Sequence, residues 1–136
     1  MDDIQFALAA SPAMGGLYRS AKSFSVDAPG QALLFLRGIA ANYCLAFDRD
    51  FTERDSIDDR IRSLERRGLL RQQTLRNLRT LQRNGNQSAH PEQYAHESHD
   101  YRAMCVASLE AARELLEQLF VIRGEPVPAY EVTELE

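Results

Sequence analysis

The chain has 136 residues, of which 44% are hydrophobic and 26% charged, a balance that fits one folded domain and excludes wholesale disorder. Its apolar stretches are too short or too interrupted to span a bilayer, and its acidic first residues differ from the basic start of a secretory signal. We therefore expect a cytoplasmic protein that makes no membrane contact, with Cys44 and Cys105 as reduced core thiols.

The net charge of −4 is unevenly distributed along the chain. Residues 60–83 contain eight arginines and one acid, a local charge of +7, whereas residues 1–59 carry −4 and residues 84–136 carry −7. Arginine outnumbers lysine by 15 to 1, and the guanidinium group suits both phosphates and partly buried ion pairs. Two interpretations stay open: the basic segment pairs with the acidic helices around it, or it binds nucleic-acid phosphates.

Helical spacing dominates the first part of the chain, and strand signals are few. Residues 11–24 predict a first helix, which Gly15 and Gly16 weaken. Asp27 is the predicted N-cap of the next helix, with Pro29 in its first turn.

The most apolar segment, residues 31–47, predicts the central helix of the fold. Its side chains are apolar almost all round, which is typical of a helix that is buried on every side. Arg37 lies within it and needs a polar partner, because an unpaired buried cation is costly.

Residues 48–55 form a charged loop, after which two further helices are predicted. Ser56 is the N-cap of one, which Gly68 ends. Residues 72–83 make the other, which Gly85 is expected to end, and the short connection predicts an antiparallel hairpin.

The second helix of this hairpin has a basic outer face. Arg76, Arg79 and Arg83 follow one another at positions i, i+3 and i+7, so they form one stripe. The stripe points toward residues 84–90 and predicts a nucleic-acid-binding surface.

The longest helix is predicted over residues 98–123, where Gly124 stops it. Residues 124–136 contain Pro126 and Pro128 and cannot continue a helix. The predicted fold is therefore all-α: a single-domain bundle of about five helices over residues 1–123, followed by a short irregular acidic tail over 124–136. If the tail is ordered, we expect it to pack against something, such as a partner subunit.

The segment from residue 81 to residue 91 resembles a known family. An apolar residue and an arginine are followed by Gly85-Asn86, then by Ala89-His90, between helices of the predicted kind. This pattern, together with Leu36-Arg37 in the central helix, is similar to the helical domain at the N-terminus of the R subunits of type I restriction endonucleases. The resemblance covers most of residues 4–123, and that family is grouped with the HEPN superfamily.

The resemblance implies a helical bundle, a homodimer and a defence or restriction-related role. Many HEPN proteins are metal-independent ribonucleases in which an arginine is followed, four to six residues later, by a histidine. Arg83-Asn84 followed by His90 meets this spacing and implies a catalytic pair. His90 would move a proton of the ribose hydroxyl or of the leaving oxygen, and Arg83 would hold the phosphate. In the restriction-associated family the arginine more usually lies three residues before the glycine, where Gln82 stands in this chain.

Structural roles are the alternative for the same motif. Gly85 can be a left-handed helix cap, Asn86 can bond the backbone of a helix end or turn, and His90 can tie the loop to a neighbouring helix. A metal site would need His96 and His99 to join His90 as ligands, but no cysteine or acid stands at a recognisable ligand spacing, so we expect no metal and no cofactor.

Two functions follow from these patterns. One is an RNA- or DNA-binding domain that also cleaves RNA if Arg83 and His90 act together. The other is a non-catalytic dimerisation or adaptor module that binds protein partners.

Overall fold

The structure of the chain, a computed structural model, describes residues 1–90, 92 and 98–134, with only the backbone of residues 98 and 99. These residues form six α-helices and no strand, which confirms the predicted all-α class. The helices are α1 (Asp3–Ala10), α2 (Pro12–Phe24), α3 (Pro29–Leu45), α4 (Ile57–Arg66), α5 (Gln72–Ala89) and α6 (Ser98–Ile122). None in the described part of the chain is both long and apolar enough to cross a lipid bilayer.

The helix missing from the sequence prediction is α1. Asp2 caps it by accepting a hydrogen bond from the Gln5 backbone, while the Gln5 side chain bonds back to Asp2, a capping box. Ser11 then caps α2. A Cβ added at Gly15 would lie 2.5 Å from the Leu8 Cα. This glycine therefore allows α1 and α2 to pack closely, which compensates for its low helix propensity.

The prediction of a central apolar helix is confirmed by α3, which packs against α2, α4, α5 and α6. Its start differs from the prediction, because the N-cap is Ala28, which makes no side-chain cap, and not Asp27. Pro29 occupies the first helical turn and so leaves the residue before it as the cap. The fully buried side chains that α3 contributes are Ala32, Leu33, Leu36, Ile39, Ala40, Tyr43 and Cys44.

The turn between α4 and α5 follows the sequence prediction. Ser56 caps α4 by accepting a hydrogen bond from the Asp59 backbone, and Gly68 has the left-handed φ of 69° that a residue with a Cβ rarely adopts. Asp58, near the start of α4, forms an ion pair with Arg79, near the middle of α5 and two turns after its start, as an antiparallel hairpin requires.

The tail after α6 returns to the start of the same chain. Tyr130 stacks on Phe6 with ring centroids 4.1 Å apart, and its hydroxyl donates to Glu117 over 2.8 Å. The backbone N–H of Glu131 donates to the carbonyl of Met1 over 3.0 Å. The described part of the tail therefore has packing partners on α1 and α6 of its own chain.

Candidate nucleic-acid interface

Helix α5 runs further than the sequence predicts, because Gly85 does not end it. The helix continues to Ala89, and His90 is the C-cap, with its backbone N–H donating to the Asn86 carbonyl. Gly85 has no left-handed φ, so the predicted glycine cap is wrong. Instead, a Cβ at Gly85 would lie 2.5 Å from the Cβ of Arg37, and the glycine serves to let α3 and α5 approach each other.

Two polar contacts hold the last turn of α5 against α3. The Arg37 guanidinium donates to the Asn86 side-chain oxygen over 3.3 Å, and the Ser88 hydroxyl donates to the Gly30 carbonyl over 2.5 Å. Arg37 thus has the polar partner that its position in the central helix requires. Asn86 bonds this neighbouring helix and not the turn backbone, which corrects one of its expected structural roles.

Asn84 has a similar role on the other side of α5. Its side-chain amide donates to the Ser108 hydroxyl over 2.9 Å and to the Met104 carbonyl over 3.4 Å, both on α6. Arg37, Asn84, Gly85 and Asn86 therefore position the C-terminal half of α5 between its neighbours. The motif residues that remain open to solvent are Arg83 and His90.

The longer helix places Arg83 and His90 on one face. Residues seven apart are separated by about 20° around an α-helix and by about 10 Å along it, so Arg76, Arg83 and His90 lie nearly in line. Gln87, four residues after Arg83, falls on the same side. We call Arg76, Arg83, Gln87 and His90 the α5 face. Gln87 was missed in the sequence because the helix was expected to end at Gly85.

His90 stands at the open end of the α5 face. It is 55% exposed, and its Nδ1 lies 3.5 Å from a Glu92 carboxylate oxygen. The structure therefore brings Arg83 and His90 to one surface but leaves about two helical turns between them.

Arg79 belongs to a different environment from Arg76 and Arg83. Its guanidinium donates to Asp58 over 2.6 Å and to Gln82 over 2.8 Å. The hydrogen bond from Arg79 holds the pKa of Asp58 below its ordinary value. The predicted three-arginine stripe is thus reduced to two open arginines, and Gln82, at the position where the resembling family has arginine, is a buried partner of Arg79.

The eight arginines of the basic segment fall into two equal groups, according to whether the guanidinium bonds within the chain. Four guanidinium groups bond to neighbours: Arg60 to three backbone carbonyls, Arg62 and Arg79 to Asp58, and Arg67 to Asp48. The other four are exposed and make no hydrogen bond or ion pair through the guanidinium with any described residue. They are Arg66, Arg71, Arg76 and Arg83.

No group of three or more His, Cys, Asp or Glu side chains within the described residues could hold a metal ion. His96 and the His99 side chain, weighed as ligands with His90, lie outside the described residues. Cys44 and Cys105 are free and buried, and burial raises the pKa of both thiols to about 11, so they are core residues and not nucleophiles.

Comparisons of this chain with protein-family models, with curated proteins and with solved structures find no match.

Proposed function

We propose that this chain is a HEPN-like helical domain that binds nucleic-acid phosphates through the α5 face, in the defence or restriction-related setting that the resemblance implies. The observation that carries the proposal is the unbroken run of α5 to Ala89. It places the exposed Arg76, Arg83 and His90 along one line, where an extended polyanion can contact them in succession.

The electrostatics of the α5 face support the same function. Arg76 and Arg83 have no carboxylate within ion-pair distance among the described residues, whereas Arg79 between them forms an ion pair with Asp58. Guanidinium groups without an internal partner keep their donors for phosphate oxygens. The open Arg66 and Arg71, near the turn between α4 and α5, extend the positive charge beyond the α5 face.

RNA cleavage is a second candidate, favoured by the exposed imidazole of His90 beside Glu92. Within one protomer the backbone positions of Arg83 and His90 are separated by about 10 Å along the helix, and no hydrogen bond joins the two side chains. Cleavage by this pair therefore needs a second copy of the chain to complete each site, in accordance with the homodimer that the resemblance implies. Neither a metal nor a cofactor takes part in the proposed step.

Binding is tested by fluorescence anisotropy with a short single-stranded RNA, the matching DNA strand and the DNA duplex. The Arg76→Gln/Arg83→Gln variant should weaken binding and lower the slope of log K against log salt by about 0.7 per lost phosphate contact on a single strand. Arg19→Gln/Arg54→Gln is the matched control, because it removes two exposed arginines elsewhere. Equal loss in the control, or a flat salt response of the unmodified protein, would favour the adaptor function with protein partners.

Cleavage is tested separately with the same RNA. His90→Ala should abolish cutting but retain RNA binding through Arg76 and Arg83, with a smaller loss of affinity than Arg76→Gln/Arg83→Gln. EDTA should change nothing, since imidazole and not a metal-bound water exchanges the proton. If the unmodified protein binds the RNA through the α5 face but does not cut it, the binding proposal stands and the nuclease candidate is rejected.

A further inference from the structure

A cavity of about 420 Å³ lies where α2, α6 and the tail meet, within the size range of small-molecule sites, about 300–1,000 Å³. Its walls are aliphatic and come from the turn after α2, from α6 and from the tail: Val26, Val106, Leu109 and Val132. Its polar lining includes Tyr18, Lys22, Arg113 and Thr133. We call this space the tail pocket.

Most of the polar groups in the tail pocket are already satisfied. Lys22, the single lysine of the chain, donates to both Asp3 carboxylate oxygens over 2.7 and 2.6 Å and to the Thr133 hydroxyl over 2.9 Å. Tyr18 donates to Asp3 over 2.5 Å. An ammonium group has three donors and a phenol has one, so neither Lys22 nor Tyr18 has a donor left for a ligand.

Arg113 is the exception. Its one hydrogen bond to the described residues is from Nη1 to the Tyr18 hydroxyl, over 3.2 Å. A guanidinium group carries five donor hydrogens in a planar fork, so four remain available. This side chain is half-buried, which makes unused donors more costly than on an open surface.

No nearby acid forms an ion pair with Arg113 among the described residues, although Asp3 attracts its charge at longer range. Glu117, one turn further along α6, accepts the Tyr130 hydroxyl and makes no ion pair with Arg113. Glu134 stands exposed at the rim and also makes none with any described residue. Asp3 is fully buried and opposed by Lys22.

The tail pocket therefore contains one positive charge that has no ion-pair partner among the described residues. The charges of Asp3 and Lys22 cancel, and burial raises the pKa of Tyr18, so the phenol stays neutral. Arg113 supplies the remaining charge.

We propose that the tail pocket binds a small organic carboxylate with an apolar body. The Arg113 fork matches the two oxygens of a carboxylate, and the aliphatic walls remove the hydrocarbon part from water. A single negative charge balances the single free cation, whereas a dianion such as phosphate would leave charge uncompensated beside Glu134 and would not use the walls. This site lies apart from the α5 face, and its proposal does not depend on nucleic-acid binding.

Hexanoate is a suitable probe. The comparison compounds are hexanol, which keeps the apolar body, and inorganic phosphate, which keeps the negative charge. In an NMR titration, hexanoate should bind saturably and shift the amide signals of Val106, Arg113 and Thr133. Hexanol and phosphate should each bind at least about tenfold more weakly, since each loses one of the two interactions.

Two variants test the assignment of the site. Arg113→Gln should weaken hexanoate binding at least about tenfold, whereas Arg54→Gln, the same substitution in an exposed loop, should leave it unchanged. Val106→Glu places a carboxylate in the wall at a position that is 67% exposed, where folding is not at risk, and should also abolish binding.

The proposal is overturned if hexanoate causes no saturable shift, if phosphate binds as tightly as hexanoate, or if Val106→Glu retains the affinity of the unmodified protein. Thermal unfolding of each variant confirms that a loss of binding is not a loss of the fold. An Arg113→Gln protein that is folded and still binds hexanoate normally would equally reject the assignment.

Discussion

Two regions of this molecule use cationic side chains in opposite ways. Around Asp3, a group that we call the buried acid cluster (Asp3, Tyr18, Lys22 and Thr133) bonds every donor of its one cation within the chain. On the α5 face, Arg76 and Arg83 are exposed and make no such bond with any described residue. The comparison separates cations that hold the fold together from cations that are free to bind another molecule.

The difference follows from solvation. A buried ion pair is costly to break, because the surviving charge has neither water nor a partner. An exposed arginine keeps its water and can be replaced at almost no cost in stability. Substitutions in the two regions should thus separate stability from binding.

The largest effect on stability is expected from Lys22→Met. Asp3 is 0% exposed and Lys22 only 4%, so the substitution leaves a buried carboxylate without its cation and should reduce the free energy of unfolding by about 3–5 kcal/mol. Urea unfolding followed by circular dichroism measures the loss. The double variant Asp3→Asn/Lys22→Met should lose less than the single one, and a greater loss would contradict the assignment of the penalty to the stranded charge.

The same pair should also give stability a characteristic pH dependence. Burial by itself raises the pKa of Asp3, but hydrogen bonds from Lys22, Tyr18 and Thr133 outweigh it and hold the pKa below 3.8. Stabilisation by a carboxylate with a lowered pKa is complete above the unfolded value and is lost as pH falls through the folded value. Without Lys22 the pKa of Asp3 rises, so its carboxyl group takes up a proton at a higher pH in Lys22→Met than in the unmodified protein. The stability difference between the two proteins should therefore shrink as the pH falls from the raised folded pKa of the variant to the lowered folded pKa of the unmodified protein. A constant difference from pH 7 to acid unfolding would contradict this.

The next largest effect on stability is expected where Gly85 of α5 packs against Arg37 of α3. Gly85→Ala places a Cβ 2.5 Å from the Arg37 Cβ, and the overpacking should cost about 1–3 kcal/mol, more than the better helix propensity of alanine returns. Gly16→Ala is the matched control, because a Cβ there meets nothing within 4 Å. It should stabilise α2 by about 0.5–1 kcal/mol. Thermal unfolding measures the stability of both variants. Stabilisation in both would show that the close packing of α3 against α5 does not require a glycine at position 85.

The smallest effect distinguishes two arginines of the same helix. Arg79→Gln removes the partly exposed pair with Asp58 and should cost up to about 1 kcal/mol. Arg83→Gln should change stability by less than about 0.5 kcal/mol. Nucleic-acid affinity should show the reverse order, with the greater loss in Arg83→Gln. Equal affinity losses in the two variants would remove the distinction between the α5 face and the internally paired arginines.

Much of the helical architecture could be predicted from the sequence, because caps and apolar spacing act locally. Ser56, Gly68 and the apolar segment that became α3 gave correct predictions for this reason. The continuation of α5 past Gly85 could not be predicted, since the glycine is explained by the approach of Arg37, 48 positions earlier in the chain. The pairing of Arg79 with Asp58 is likewise tertiary: spacing places three arginines on one stripe and does not reveal which of them meets an acid.

The buried acid cluster was not predicted at all. Its members are separated by up to 130 positions, and a sequence pattern gives no measure of such distances. The one available signal was Lys22, the lone lysine in a chain that otherwise uses arginine. The chemistry of the motif around His90 stays a prediction, because the contacts of Arg83 and His90 in this chain define a surface and not a closed active site.

The contact between Asp3 and Thr133 also has a kinetic meaning. A bond that joins positions so far apart closes a large loop, whose entropy cost is repaid only once the intervening helices have assembled. We expect the segment around Thr133 to attach late during folding and to detach early in local opening events. Because Val132 and Thr133 line the tail pocket, each detachment also removes one of its walls. Ligand binding and attachment of the tail are therefore coupled, and a bound ligand should slow hydrogen exchange of the Thr133 amide.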